Sequence, residues 1–460
     1  MSIKALGIFL PQGRRIGVLF QYDLGTGAVT TRFVADAPFA QDPQAPLLGQ
    51  MFVAQSPDEQ AALWANVTAT LMNGRRSSNG DWQLPAFFQN LLPEGVFRDH
   101  IAQLRKCAPT DHFEMLAACG KDLPGALYAL PVTLSEAEKS RLVTQNQDAV
   151  EVAIVQQPLE QGLSLSGVQP KVGVRLEDGR YVARTKTQDA HIIAKLPVAA
   201  RQGLPEVEEL SLRLAQAAGV RVCRAHLAAL RLLGVEHGYD LGDAQLKTLF
   251  LAVERFDRSA SGRIHCEDFA QVLGVMPQDK YGKEEGLTYL SVATVLLNIP
   301  ELGEPAVHEL LRRLVVNEML GNPDMHLKNL GLRYPDGRMA EFSPAYDVVA
   351  YACYQGVHGH ALRLVPERKD APWTQGQQQL SPALLRDFCE QLNIVERPAA
   401  AVVRDAVARA AKSWPELIEQ SRLSKAQKRR LSAHFEAHPL VQSLQRRKSA
   451  SDTQPSSSGR

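Results

Sequence analysis

Residues 322–329 read Asn-Pro-Asp-Met-His-Leu-Lys-Asn, which places Asp324 five positions ahead of Asn329. A loop of that length can set a carboxylate and an amide oxygen on one wall of a pocket. Phosphoryl transfer asks for this: a carboxylate to orient a hydroxyl, and oxygen ligands to hold Mg²⁺ against nucleotide phosphates. Lys328, just before Asn329, stands where it could neutralise the transferring group. Eighteen residues past Asn329, the run Pro344-Ala345-Tyr346-Asp347 supplies a second carboxylate as a metal ligand. Upstream, Lys195 closes the run HIIAK, the place of a phosphate-contacting lysine, and Glu208 opens the next helical pattern as its ion-pair partner. Ahead of both, Ser164–Lys171 (SLSGVQPK) is a small-residue loop whose backbone N–H groups could cradle phosphates. It carries one glycine and is not a GxGxxG loop. Each feature is commonplace alone. Their order (small-residue loop, strand lysine, helix glutamate, Asp-x4-Asn, hairpin, Asp) is the order a kinase needs.

The elements that must position these residues can be read from periodicity. Residues 4–10 and 15–23 are strand-like, broken at Pro11-Gln12-Gly13, and a helical stretch from about 86 to 120 ends at Gly120, read as a helix-terminating glycine. A polar segment, 134–160, marks a boundary. Val172–Leu176 and Tyr181–Ala183, joined by Asp178-Gly179, form a hairpin signal. Residues 191–195, 222–232 and 249–256 are further strands, with a helix over 206–218. After about 265 the chain reads as helical, over 305–321, 382–393, 400–412 and 414–435, apart from a strand pair around 330–334 and 339–343. The expected organisation is an α+β, two-lobed, protein-kinase-like fold with a strand-rich subdomain at 1–135. A sheet-bearing lobe with the phosphate loop follows at 160–260, then a helical lobe with the catalytic loop at 261–435. A basic disordered tail at 436–460 completes it. The last forty residues hold nine Lys and Arg against Glu436 and Asp452.

Composition bounds the function. The chain has 460 residues, of which 45% are apolar and 22% charged, with a net charge of +1. That suits a globular multidomain protein and argues against polyanion binding by bulk charge. Six scattered cysteines without a CxxC pair exclude a disulfide framework and suit a reducing cytoplasm. No apolar run reaches the 18 or so residues of a membrane span, and Met1–Arg15 lacks a secretory cleavage site. His358-Gly359-His360 lacks a third ligand for a metal. Ala306, Leu310, Leu311, Leu314, Val315 and Met319 read as helix core, and Trp373 and Trp414 as packing residues.

The segments SLSGVQPK (164–171), HIIAKLP (191–197), VERFDR (253–258), DMHLKN (324–329) and SPAYD (343–347) resemble the HipA family of serine/threonine kinases. These are toxins of bacterial toxin–antitoxin pairs. FFQNLLPEG (87–95) and GKDLPGAL (120–127) are similar to that family's amino-terminal subdomain, so the resemblance spans about 1–420. It implies ATP and Mg²⁺ as cofactors, with Asp324 as catalytic base and Asn329 and Asp347 as Mg²⁺ ligands. Lys195 would touch the nucleotide phosphates, with Glu208 supporting it. Ser166, Gly167, Val168, Gln169 and Lys171 would form the phosphate loop. Glu254, Arg255 and Phe256 would be the hinge that receives adenine, and His326 and Lys328 match family positions in the catalytic loop. Ser164 matches the serine that family members autophosphorylate, a charge of about −2 that switches the enzyme off.

The sequence departs from the family pattern at Pro170, which removes one N–H donor from the cradle, and at Ala194, an added residue before Lys195. Both bear on ATP affinity. The resemblance further implies a small helix-turn-helix antitoxin of the HipB kind as partner, DNA reached only through that antitoxin, and no membrane. An aminoacyl-tRNA synthetase, the glutamyl one among them, is a substrate the resemblance allows, though no residue here identifies it. Two other readings stand beside the kinase toxin. One is a catalytically weak kinase-fold module serving as co-repressor with a DNA-binding antitoxin. The other is a small-molecule phosphotransferase, whose loops usually carry His-x-Asp, whereas here the His follows the Asp. The basic tail is either a solubilising end or a DNA contact within the antitoxin complex.

Overall fold

The computed structural model describes residues 2–23, 29–135, 138, 151–159, 169–184, 189–235, 239, 241, 248–282, 286–355, 359–366 and 379–452. Ser164, Ser166, Gly167, Val168, His358 and Trp373 lie outside those residues.

Three antiparallel strands open the chain: β1 (Ser2–Phe9), β2 (Arg15–Asp23) and β3 (Val29–Ala35). Helices α1 (Pro57–Ala65), α2 (Gly95–Arg105) and α3 (His112–Cys119) follow. Then β4 (Tyr128–Pro131) and β5 (Glu151–Val152) share the other edge of β1, the first antiparallel and the second parallel. Thus the polar boundary segment returns to the first sheet. Phe33, Phe87, Phe88, Phe113 and Leu116 fill the core beside it. Gly120 has an ordinary helical φ of −59°, so no left-handed cap explains it. A Cβ there would stand 1.8 Å from the Ala129 carbonyl oxygen, and the close approach of β4 demands glycine instead.

A six-stranded sheet comes next. Its strands are β6 (Lys171–Glu177), β7 (Arg180–Ala183), β8 (Ile192–Lys195), β9 (Ala225–Ala229), β10 (Leu233–Gly234) and β11 (Leu249–Glu254). In space they run β10-β7-β6-β8-β11-β9. Asp178 (φ 48°) and Gly179 (φ 77°) both take the left-handed conformation that a two-residue hairpin turn requires. Helix α4 (Leu204–Ala217) packs across β11 and β9. The short ribbon β12 (Arg258–Ser259) and β13 (Gly262–Arg263) leads to a three-stranded sheet of β14 (His265–Asp268), β15 (Gly331–Tyr334) and β16 (Glu341–Phe342). Periodicity predicts helix after 265. The structure has a strand first, because His265 and Glu267 are buried while Cys266 and Asp268 are half-buried, an alternation of period two.

The remaining helices are α5 (Tyr289–Asn298), α6 (Gly303–Leu320), α7 (Pro382–Leu392), α8 (Glu396–Glu419), α9 (Lys425–Ala437) and α10 (Pro439–Asp452). The expected apolar face of α6 is buried. Helix α8 corrects the expected break at 413: it runs on through Pro415. Trp414, fully buried, anchors that stretch by donating from Nε1 to the Leu214 carbonyl at 2.9 Å. The break falls instead at Ser424, whose side chain caps α9. A second correction concerns the tail. Residues 439–452 are helical and Val441 is fully buried, so an apolar anchor holds α10 against the lobe despite its basic surface. The clamp there is polar: the buried Glu318 carboxylate of α6 accepts from His360 Nε2 at 2.5 Å, His438 Nε2 at 3.0 Å and the Leu380 amide at 2.6 Å.

Candidate active site

The site is assembled where the six-stranded sheet meets the loop after α6. Lys171 and Lys195 are directly opposed on β6 and β8, so both ammonium groups stand on one face. Like charges so placed repel, and the fold answers with acids. Lys195 Nζ is hydrogen-bonded to Glu208 of α4 and to Asp347. Burial alone would lower the Lys195 pKa, but Asp347 and Glu208 outweigh it and hold the lysine well above its ordinary value. Lys171 lacks that full compensation, and burial draws it below its ordinary value. Burial also pushes Asp347 up, yet Lys195 and Lys171 overcome this and keep its carboxyl well below the usual range. Asp347 sits at φ 53°, a conformation L-residues seldom adopt and one that recurs at functional sites.

Asp324 and Asn329 face the same space. Asn329 donates from Nδ2 to the Asp324 carbonyl at 2.7 Å, closing the loop into a compact turn and leaving its Oδ1 as the atom for a cation. Tyr281 donates its hydroxyl to Asp324 Oδ1 at 2.9 Å. His326 Nε2 lies 4.0 Å from the same oxygen, and burial with the nearby Lys280 lowers its pKa, favouring the neutral ring. One cavity of about 340 Å³ is lined by Gln169, Lys171, Lys195, Glu208, Asp324, His326, Asn329 and Asp347. A second, about 150 Å³ and more apolar, shares Lys171, Lys195, Glu208 and Asp347 and continues to Ile193, Val253, Phe256 and Tyr346. The two are halves of one cleft, polar at one end and flat and greasy at the other. Such a shape accepts phosphates and a base.

Among the described residues no group of three or more His, Cys, Asp and Glu side chains is arranged around a metal. Mg²⁺ is commonly held by one or two carboxylates together with substrate phosphates. Asp347 and Asn329 are the residues that would hold it, through a carboxylate and an amide oxygen.

Lys328, Glu254, Arg255 and Phe256 all line the apolar cavity, and three of them make bonds that the sequence did not reveal. Lys328 does not face the cleft as a free cation: its Nζ bonds Asn90 O at 2.9 Å, Asn90 Oδ1 at 3.1 Å and Asp268 Oδ2 at 3.0 Å. The Arg255 guanidinium pairs with Asp122 at 2.9 Å and Asp257 at 2.8 Å. The backbone N–H groups of Glu254 and Arg255 are used by the Arg224 and His191 carbonyls. Phe256 brings its ring to the cleft, 5.4 Å from that of Tyr346. Sequence reasoning missed Tyr281, Lys280 and Glu94, which line the polar half. Only Glu94 had a signal, in the Pro93-Glu94-Gly95 turn of a segment already singled out.

Comparison with known proteins identifies the family and the fold. The HipA-like C-terminal domain matches residues 163–414 and the HipA N-terminal domain residues 8–130. Over 292 residues the chain is 36% identical to the protein Y4dM of Sinorhizobium fredii, whose name carries the word kinase; this covers 63% of the chain and 68% of the relative. It is 24% identical over 311 residues to the serine/threonine-protein kinase toxin HipA of Shewanella oneidensis, covering 62% of the chain and 66% of the relative. The structure of Shewanella oneidensis HipA, solved with HipB and its operator DNA, superposes with a TM-score of 0.65 at 21% identity over 96% of this chain and 97% of that one. The fold is thus the two-lobed, kinase-like α+β fold. With one family domain alone spanning more than half of the sequence and a second matching the strand-rich beginning, the chain belongs to the HipA family.

Proposed function

We propose that the chain is an ATP-dependent serine/threonine protein kinase that acts as the toxin of a type II toxin–antitoxin pair. The observation that carries this reading is the bridge from Lys195 to both Glu208 and Asp347, in the same cleft as Asp324 and Asn329. Adenine would lie in the apolar half against Phe256 and Tyr346, and the phosphates along Lys171 and Lys195. Asp324 would orient the attacking hydroxyl and take its proton, with Tyr281 fixing the carboxylate. Positioning and charge complementarity of this kind supply most of the acceleration in phosphoryl transfer. Mg²⁺, held by Asp347 and Asn329, would neutralise charge developing on the phosphates. A phosphate on Ser164, next to the phosphate loop, would compete with ATP and limit the enzyme.

The partner we assign is a HipB-like antitoxin, through which the chain would meet DNA in the cytoplasm. The matched Shewanella complex contains HipA, HipB and operator DNA, which supports this assignment. The same complex favours the second reading, a co-repressor with little catalysis. Among the described residues no helix is long and apolar enough to cross a membrane. An aminoacyl-tRNA synthetase, such as the glutamyl one, is the substrate to try first.

The test is phosphorylation by the purified chain with ATP and Mg²⁺, followed by intact mass and phosphopeptide mapping, beside Asp324→Gln. One added phosphate at Ser164 in the parent and none in the variant would support a working kinase with a built-in limit. No incorporation and no ATP binding would sink the proposal and leave the co-repressor.

A further inference from the structure

The strand-rich amino-terminal unit does more than cover the kinase lobes, and the contacts of one turn say why. Glu94 precedes α2 at the helix N-cap, where a carboxylate usually accepts a backbone N–H of the first turn. It makes no such bond. Its carboxylate instead reaches out of its own unit to Lys280 Nζ at 3.1 Å and toward Lys328 Nζ at 3.8 Å. Burial pushes its pKa up, but Lys328 and Lys280 more than offset this and keep it ionised. Four residues earlier, Asn90 receives Lys328 on both its carbonyl and its side-chain oxygen.

Both lysines hold the catalytic loop. Lys328 lies within it, between His326 and Asn329. Lys280 touches it through the backbone, its carbonyl accepting the Leu327 amide at 3.1 Å. The next residue, Tyr281, is the one whose hydroxyl meets Asp324. One path from Asp324, through Tyr281 and Lys280, and one from Asn329, through Lys328, therefore reach the turn at 90–94.

We propose that Asn90 and Glu94 are positioning residues for catalysis, acting through Lys328 and Lys280 to set the Asp324–Asn329 loop. The proposal rests on the reading of the cleft as a phosphotransfer site. Glu94 lines the polar half of the cleft and Asn90 the apolar half, and the bonds each makes to the catalytic loop run through these lysines. Their effect is geometric, and a displacement of about 1 Å in such a loop can cost about 100-fold in rate. Glu94 is the better probe, because Asn90 also bonds Val275 and Ala86 carbonyls and its loss would disturb the core.

The experiment uses the full chain with ATP and Mg²⁺, following self-phosphorylation by intact mass, and hydrogen exchange of residues 322–330. Glu94→Gln should lower the rate at saturating ATP by about 10- to 100-fold. The half-saturating ATP concentration and the thermal midpoint should stay near the parent's. The 322–330 segment should exchange faster, and Glu94→Asp should recover part of the rate. Glu94→Gln combined with Lys280→Gln should be no worse than Glu94→Gln alone, since Lys280→Gln removes one of the two pairs that Glu94→Gln already breaks. An unaltered rate with unaltered exchange would overturn the proposal. A rate loss matched by equal loss of ATP binding or of folded protein would overturn it as well. Should the parent transfer no phosphate while Glu94→Gln still speeds exchange at 322–330, the bracket stands and the kinase reading fails.

Discussion

Replacing Lys195 by methionine is the sharpest single perturbation of the cleft. It removes the cation between two acids and leaves a side chain of similar volume. Asp347 is held at about 2, against an ordinary value of 3.8. A difference near 2 pKa units corresponds to about 2.5 kcal/mol of favourable interaction in the folded state. The Asp347 side chain keeps 29% of its surface exposed, so water screens part of this, and about 1–2 kcal/mol is the working figure. The sign follows from a depressed folded pKa. The stabilisation is complete above the unfolded value near 3.8 and is lost as pH falls through 2. In Lys195→Met, Asp347 and Glu208 lose the cation that bonds both and are left with Lys171 nearby, and one of them takes up a proton. Thermal midpoints of parent and variant, measured from pH 2 to pH 8, should therefore differ most above pH 5 and converge toward pH 2. Phosphotransfer at pH 7 should fall by about 100-fold or more, as when one preorganised charge-stabilising group is removed. A gap in midpoint that is constant down to pH 2, or a variant with near-parental transfer, would refute the assignment of Lys195 as the charge that organises the cleft.

Arg255→Ala leaves Asp122 and Asp257 buried without their shared guanidinium, and should cost about 3–5 kcal/mol in denaturant unfolding; a loss under 1 kcal/mol would mean that Arg258, 2.8 Å from both acids, suffices. Glu267 is pushed up to about 7 by burial, despite the Tyr334 hydroxyl and the Gln50 amide. Its ionisation weakens the fold as pH rises from 4.5 through 7, so Glu267→Gln should flatten stability over that range and exceed the parent at pH 8 by about 1 kcal/mol or more. Equal pH profiles would contradict this. Gly120→Ala should destabilise by at least about 2 kcal/mol, since the new methyl meets a carbonyl rather than a movable side chain; a neutral result in a melting curve would show that β4 can shift.

How much was legible depended on whether a signal was local. Lys195, Glu208, Asp324, Asn329 and Asp347 could be picked out because they follow one another in a fixed order along the chain, and the structure gathers all five around one cleft. The hairpin at Asp178-Gly179 was legible for the same reason, since two left-handed residues must be of a turn-forming type. The destination of Lys328 was not, because its partner Asn90 lies 238 positions away and no periodicity links them. Strand β14 was hidden by its shortness and by its mixed polar composition, His-Cys-Glu-Asp, and only burial of alternate residues reveals it. Helix α8 was misjudged at Pro415, a residue that ends most helices, because the anchoring of Trp414 to a carbonyl 200 positions earlier is invisible in the local pattern. The apolar residue that fastens α10, Val441, was likewise outweighed by the charges around it.

The seam between the amino-terminal unit and the rest also bears on heredity. Two separate family domains suggest parts that evolution could exchange, yet here Asp122 neutralises Arg255 and Arg258, Asn90 receives Lys328, and the Gln50 amide meets Glu267. Trading the first unit for a relative's with a different residue at position 122 would strand buried charge worth about 3–5 kcal/mol, a large part of the 5–15 kcal/mol by which domains are typically stable. A hybrid gene would thus keep its stability only where the donated first unit carries matching residues at the seam, an acid at 122 first among them.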